Sequence, residues 1–168
     1  MKKIIALSIL ALGFTTYANA QATASADASA TIIAPITISM NTPMNFGNIA
    51  INASAGTVVM DYAGARTPNG GVTLPANAGN PTAAEFLVSG EDGFTYDILL
   101  PTSAIQIVDV NSANPMNVDN FTSDPIGSGI LTGGSQLVHV GAKIHVNGSQ
   151  PAGVYTSATP FDVTVNYN

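Results

Sequence analysis

The chain has 168 residues, a formal net charge of −6 at pH 7 and no cysteine. The negative charge argues against a nucleic-acid partner, whose phosphates would be repelled, and the missing thiols exclude disulfides and cysteine chemistry. Sixteen glycines and ten prolines interrupt the chain, and its apolar residues repeat at a period of two, so the sequence predicts strands and few helices.

Residues 1–20 have the pattern of an export signal. Lys2 and Lys3 precede an apolar run over residues 4–14, and Ala18-Asn19-Ala20 is a small-x-small cleavage site. We expect cleavage before Gln21, passage through the periplasm and delivery to the cell surface, with an uncleaved membrane anchor as the alternative. No later stretch is predicted to span a membrane. Cleavage would leave two cations against ten carboxylates, a formal charge of −8.

Residues 21–34 are predicted to form an N-terminal extension with strictly alternating small residues. Its even positions are Ala22, Ala24, Ala26, Ala28, Ala30 and Ile32. We see three interpretations: a donor strand that pairs with a neighbouring molecule, a strand that pairs with its own domain, or a disordered terminus. An alanine methyl contributes about 0.8 kcal/mol on burial, against roughly 1.5–3 for isoleucine, so a donor strand would depend mainly on main-chain hydrogen bonds.

Residues 35–168 are predicted to form one domain of short strands. The alternating segments are 31–40, 56–61, 71–74, 84–89, 95–100, 104–110, 118–122, 129–132, 136–146 and 159–168. Turn residues separate them at 67–71, 91–93, 133–134 and 150–153, and an Asn-rich turn is predicted after residue 110. This spacing predicts an all-β, immunoglobulin-like (pilin-like) antiparallel β-sandwich.

The closing segment alternates to the end of the given sequence, which predicts a sandwich lacking its last strand. Such a sandwich would leave an acceptor groove for a strand from another molecule. The predicted groove residues come from the segments 136–146 and 159–168: Val138, Val140, Ile144, Phe161, Val163, Val165 and Tyr167.

Several short motifs resemble those of DUF4402, a family of exported bacterial proteins. They are Asn45-Phe-Gly-Asn-Ile49, Gly56-Thr-Val-Val59, Gly153-Val-Tyr155 and Val163-Thr-Val-Asn-Tyr167. The last of these is also similar to the end of chaperone–usher pilins and of spore-coat-U-like pilins, where a penultimate tyrosine closes the final strand. The resemblance implies a pilin-like subunit whose partners are copies of itself or related subunits, a periplasmic chaperone and an outer-membrane usher.

Other chemistries have weaker support in the sequence. His139 and His145 stand six residues apart on one predicted strand, about 20 Å at 3.3 Å per residue, too far to share a metal ion. Oxygen ligands for calcium occur at Asp109, Asn111, Asn117, Asp119, Asn120 and Asp124, but without EF-hand spacing, and Asp and Asn are also common turn residues. No nucleophile elbow or phosphate-binding glycine loop is present, so we expect neither an enzyme nor a cofactor.

The leading hypothesis from the sequence is a structural subunit of a bacterial surface fibre, assembled by β-strand complementation. The alternative is a monomeric secreted or surface-bound β-sandwich that binds carbohydrate or matrix, although Tyr62, Tyr96 and Tyr155 are too scattered to predict an aromatic platform.

Overall fold

The computed structural model describes residues 21–109 and 112–168, so the predicted export signal lies outside the described residues, as do Val110 and Asn111. The described residues form antiparallel strands and contain no helix that is long and apolar enough to cross a membrane. The strands are β1 (Thr37–Thr42), β2 (Ala50–Met60), β3 (Arg66–Thr73), β4 (Ala84–Ser89), β5 (Thr95–Leu99), β6 (Ile105–Asp109), β7 (Ser112–Asp124), β8 (Ser128–Ile130), β9 (Ser135–Val146), β10 (Thr156–Ser157) and β11 (Thr164–Tyr167). The prediction of an all-β antiparallel sandwich is confirmed.

The larger sheet is organised around β9, which is long enough to pair with two strands along one edge. Residues 135–140 of β9 pair with β4 and residues 142–146 pair with β2, while β7 runs along the opposite edge. The sheet continues from β4 to β1, from β2 to β3, and from β7 to β6 and β10. Alternation explains this central place, because one face of β9 is apolar from Val138 to Val146. Its buried residues are Val138, Val140, Ala142, Ile144 and Val146.

The smaller sheet has the order β11–β5–β8 and packs against the half of the larger sheet that contains β1 and β4. The two sheets enclose a first cluster, which we call the sandwich core: Ala84, Val88, Tyr96, Ile98, Leu131, Val138, Val140, Val163 and Val165. Tyr96 lies at its centre and is fully buried. The Tyr96 hydroxyl donates a hydrogen bond of 2.8 Å to Oε1 of Gln136, and burial raises the pKa of this phenol above its ordinary value.

The other half of the larger sheet covers a second cluster, which we call the plugged core: Val58, Val72, Met116, Val118, Ala142, Ile144 and Val146. No strand of the smaller sheet belongs to this cluster. Instead, Met44, Phe46 and Ile49 pack against it from the segment that connects β1 to β2. The two cores are therefore covered in different ways, one by a second sheet and the other largely by a connecting segment.

The strand prediction is accurate where alternation is clear and wrong where glycine or asparagine dominates. The predicted strand 84–89 coincides with β4, and 136–146 differs from β9 by one residue. The predicted turn at 67–71 is instead part of β3, where Gly70 and Gly71 lie directly against the backbone of Ala55 and Ser54. These glycines permit two strands to approach closely.

Two further predictions about strand positions are wrong. The strand predicted over 118–122 begins earlier, at Ser112 of β7, which pairs with both β6 and β9. The Asn-rich turn predicted after residue 110 begins outside the described residues. The strand predicted over 31–40 begins only at Thr37, after Pro35, which has no backbone N–H to donate to a ladder. The short strand β10 was not predicted, because two residues carry no periodic signal.

Candidate functional site

Most residues predicted to line an acceptor groove meet in the sandwich core. They are Val138, Val140, Phe161, Val163, Val165 and Tyr167. Ile144 does not join them, because β9 runs from one core to the other and its second half lies in the plugged core. The described chain buries Val138 and Val140 completely and leaves Val163 and Val165 less than one-tenth exposed. The part of this region that stays open is therefore the backbone edge of β11.

The register of β11 shows which of its backbone groups face outward. Asn168 N–H donates to the Thr95 carbonyl oxygen at 3.3 Å, so Asn168 and Thr95 lie in a hydrogen-bonding position of the β11–β5 ladder. In antiparallel ladders such positions alternate, so Asn166 and Thr164 also direct their backbone groups toward β5. The N–H and C=O groups of Val165 and Tyr167 consequently point away from β5.

No strand among the described residues pairs with that outer side of β11. The neighbouring strand across the sandwich is β1, which approaches β11 to within 8 Å between Cα atoms and pairs, within the part of the chain that the structure describes, only with β4. Met40 of β1 is 62% exposed although its neighbour of the same parity, Ile38, packs against the sandwich core. Two unpaired strand edges thus lie next to each other at the rim of the sandwich core, and we call them the open edges.

A hydrogen-bond network holds the start of the domain against the end of β11. The Tyr167 hydroxyl donates to the Ala34 carbonyl oxygen at 2.9 Å and accepts from the Glu91 N–H at 2.7 Å. The Glu91 carboxylate in turn accepts from the Ala34 N–H at 2.9 Å. The Tyr167 ring packs edge-on against Phe94, with 5.7 Å between ring centroids.

This network fixes where the chain enters the domain, because Ala34 is bound through both its N–H and its C=O. Sequence reasoning placed Glu91 only in a turn and did not single out Ala34 or Phe94. Their contacts connect residues separated by 57 and 133 positions, and such contacts leave no local pattern in a sequence.

The predicted donor segment has no regular secondary structure over residues 21–36. Ala22, Ala24, Ala26, Ala28 and Ala30 are all exposed, and Ile32, the only large side chain among the six predicted donor residues, is 96% exposed. The chain divides into two compact units, and the second, which contains β1 to β11, begins at Ile33. Whether the segment acts as a donor strand stays a prediction.

Comparison with protein families identifies the domain. A family model described as Domain of unknown function (DUF4402) matches residues 36–167. This chain belongs to the DUF4402 family. Searches among curated proteins and among solved structures gave no match. The matched DUF4402 segment contains both cores and β11, and it begins just after the extension.

The structure gives the first DUF4402 motif, Asn45-Phe-Gly-Asn-Ile49, a structural role. Phe46 and Ile49 pack on the plugged core, and Asn45 Oδ1 accepts the Gly47 N–H at 2.8 Å. Gly47 has a φ of 67°, and a Cβ there would lie 2.2 Å from the Ala78 carbonyl oxygen. Arg66 Nη1 donates to the carbonyl oxygens of Phe46 and Asn48 at 2.6 and 3.0 Å. This motif therefore closes the plugged core.

The closing DUF4402 motif combines structural and edge-forming residues. Val163 and Val165 fill the sandwich core, whereas Tyr167 forms the network with Ala34 and Glu91. Tyr155, from the preceding Gly-x-Tyr element, packs against the plugged core. The motifs that carry the family resemblance thus serve both cores, and the closing motif also supplies Val165 and Tyr167 to the open edge of β11.

The two histidines each face a carboxylate on a neighbouring strand. His145 Nε2 lies 2.9 and 3.0 Å from the carboxylate oxygens of Asp119, and His139 Nδ1 lies 3.7 Å from Glu85. The described residues contain no group of three histidine or acidic side chains that could hold a metal ion. Asn111, one of the calcium candidates, lies outside the described residues.

Proposed function

We propose that this protein is an exported structural subunit of a bacterial surface fibre, assembled by β-strand complementation between subunits. The incoming strand would be residues 22–32 of a second copy or of a related subunit, and the acceptor would be the outer edge of β11. The observation that carries the proposal is the pair of open edges, where Val165 and Tyr167 present backbone donors and acceptors with no strand partner among the described residues.

Unpaired edges of this kind are templates for an added strand. Proteins that stay monomeric commonly protect their edges with charged residues, prolines or bulges. The four residues of β11, Thr-Val-Asn-Tyr, include no charge and no proline. An added strand would satisfy the outward groups of β11, each hydrogen bond contributing about 0.5–1.5 kcal/mol.

The N-terminal extension has the properties that such a strand needs. It is uncharged apart from Asp27, its side chains are small, and all of its residues from 21 to 32 are exposed. Small side chains favour close approach of the two backbones, while Ile32 supplies one bulky group worth roughly 1.5–3 kcal/mol if fully buried. Before assembly, the same edge of β11 would be covered by a periplasmic chaperone and the subunit delivered by an outer-membrane usher.

Deletion of residues 21–30 tests this function. The deletion keeps Ala34 and the Tyr167 network, so we expect a folded subunit that stays chaperone-bound or monomeric and forms no polymer on size-exclusion chromatography or in electron micrographs. The matched control replaces Ala22, Ala24, Ala26 and Ala28 with serine, which keeps the backbone donors and acceptors and should still polymerise. Polymers formed by the deletion variant would contradict strand complementation, and a stable monomer of the intact chain would favour the secreted binding module.

A further inference from the structure

A cleft of about 500 Å³ lies on the face of the larger sheet opposite the sandwich core. The strand register places Glu85 of β4, His139 of β9 and Asp124 of β7 side by side across its floor. Tyr62, from the turn after β2, lines the same cleft and is 44% exposed. Thr42, the last residue of β1, lines the cleft, but no lining residue belongs to β11 or to residues 21–32, which the proposed assembly uses.

The turn that carries Tyr62 is well defined by its hydrogen bonds. Asp61 Oδ1 accepts the N–H groups of Ala63 and Ala65 at 2.9 and 2.8 Å, and Gly64 adopts a φ of 83°. The position of Tyr62 at the side of the cleft is therefore set by the backbone of this turn. Ala63, Pro81 and Ala83 add small apolar groups to the lining.

The carboxylates of Glu85 and Asp124 differ in how many polar partners they already have within the protein. Glu85 Oε2 lies 3.7 Å from His139 Nδ1, and Glu85 Oε1 accepts from Asn41 Nδ2 at 3.3 Å. No hydrogen bond from the described residues reaches the Asp124 carboxylate, which lines the cleft on the other side of His139. Asp124 is thus the acceptor most available to a ligand.

The chemistry of the lining selects among ligand classes. None of the lining residues is lysine or arginine, so an anionic ligand would meet two carboxylates without a compensating charge. A chelated metal ion is also unsupported, because no suitable trio of ligands exists among residues 21–109 and 112–168. An organic cation fits the carboxylates, the tyrosine ring and the apolar lining together. Its charge would face the carboxylates and the ring, and its carbon stem would contact the apolar lining.

We propose that this cleft binds an alkylammonium group. The negative charge of the whole chain, −6 at pH 7, would raise the local concentration of such a cation. The group could belong to a small free amine or to a lysine side chain of a partner protein, because both present the same primary ammonium on a methylene chain.

Titration with 1,5-diaminopentane, followed by NMR, tests the cleft directly. We expect saturable shifts of the Tyr62 and His139 resonances, weaker binding at high salt, and no comparable effect of the neutral isostere 1,5-pentanediol. Asp124→Asn should weaken binding by about tenfold or more, the effect of losing one charged hydrogen bond. The matched control is Asp97→Asn, which removes the same charge from an exposed position of β5, outside this cleft, and should leave the affinity nearly unchanged.

Three outcomes would overturn the proposal: equal binding of the diol, shifts located away from Tyr62 and His139, or equal effects of the two aspartate variants. A capped Ala-Lys-Ala peptide separates the two sources of the cation. Tighter binding of the peptide than of the diamine supports a protein partner, whereas tighter binding of the diamine supports a small free amine. Both measurements are independent of polymer formation, so they can fail while strand complementation holds.

Discussion

The two cores of this domain are completed by different means, and the difference explains where assembly would occur. The plugged core is closed by the segment containing Phe46 and Ile49, whose backbone is held by Arg66. The sandwich core is closed by a second sheet, and that sheet ends in the unpaired edge of β11. One half of the domain is covered by its own connecting segment, while the other ends in backbone groups of β11 that pair with no strand among the described residues.

This contrast shows that a complete sheet has two separate requirements: its apolar side chains must be buried, and its backbone N–H and C=O groups must be hydrogen-bonded. The side chain of Val165 is buried, yet the outer edge of its strand, β11, has no ladder partner in the described residues. Hydrophobic packing alone therefore does not determine whether a sheet is closed. The backbone N–H and C=O groups point sideways from a strand in the plane of the sheet, whereas the side chains point out of that plane.

The largest expected change in unfolding free energy comes from comparing two glycine variants, one beside the plugged core and one in the half that contains the sandwich core. Gly47→Ala should cost about 2–5 kcal/mol of unfolding free energy, because it combines a left-handed backbone with a Cβ placed 2.2 Å from the Ala78 carbonyl oxygen. Gly93→Ala, also left-handed but with nothing within 4 Å of the added Cβ, should cost only about 1–2 kcal/mol. Urea denaturation monitored by circular dichroism measures both. Equal losses would show that close packing at Gly47 is not what closes the plugged core.

A smaller loss of unfolding free energy is expected from Tyr167→Phe at the open edges. The variant keeps the contact with Phe94 but loses the bonds to Ala34 and Glu91, so it should cost about 1–3 kcal/mol and speed hydrogen exchange of the Glu91 amide. Tyr155→Phe is the matched control on the plugged side and should leave exchange at Glu91 unchanged. If Glu91 stays equally protected in Tyr167→Phe, the hydroxyl does not hold the start of the domain.

Much of the fold follows from local sequence, as β4 and β9 show. Their alternating apolar residues predict both their bounds and their buried faces, because side-chain parity is a local property of a strand. Local reasoning failed at Gly70 and Gly71, where glycine permits close strand contact instead of a turn. The same residue type supports either structure, and only the tertiary partner decides between them.

The candidate site could be predicted only in part, for a related reason. Phe161, Val163, Val165 and Tyr167, which share one parity of the closing segment, pack in one core, and their role in a groove stays a prediction. Ile144 was grouped with them from the alternation over 136–146 but packs in the other core, because periodicity shows which face a residue occupies but not where along a long strand the covering layer changes. The network of Tyr167 with Ala34 and Glu91 joins distant parts of the chain and has no sequence signature.

Hydrogen exchange at single amides of β11 tests strand complementation most directly. In the monomer, the outward-pointing amides of Val165 and Tyr167 should exchange faster than the amide of Asn166, which faces β5. On polymerisation, Val165 and Tyr167 should become protected while Asn166 changes little. Polymers in which Val165 and Tyr167 exchange as fast as they do in the monomer would contradict the addition of a strand at this edge.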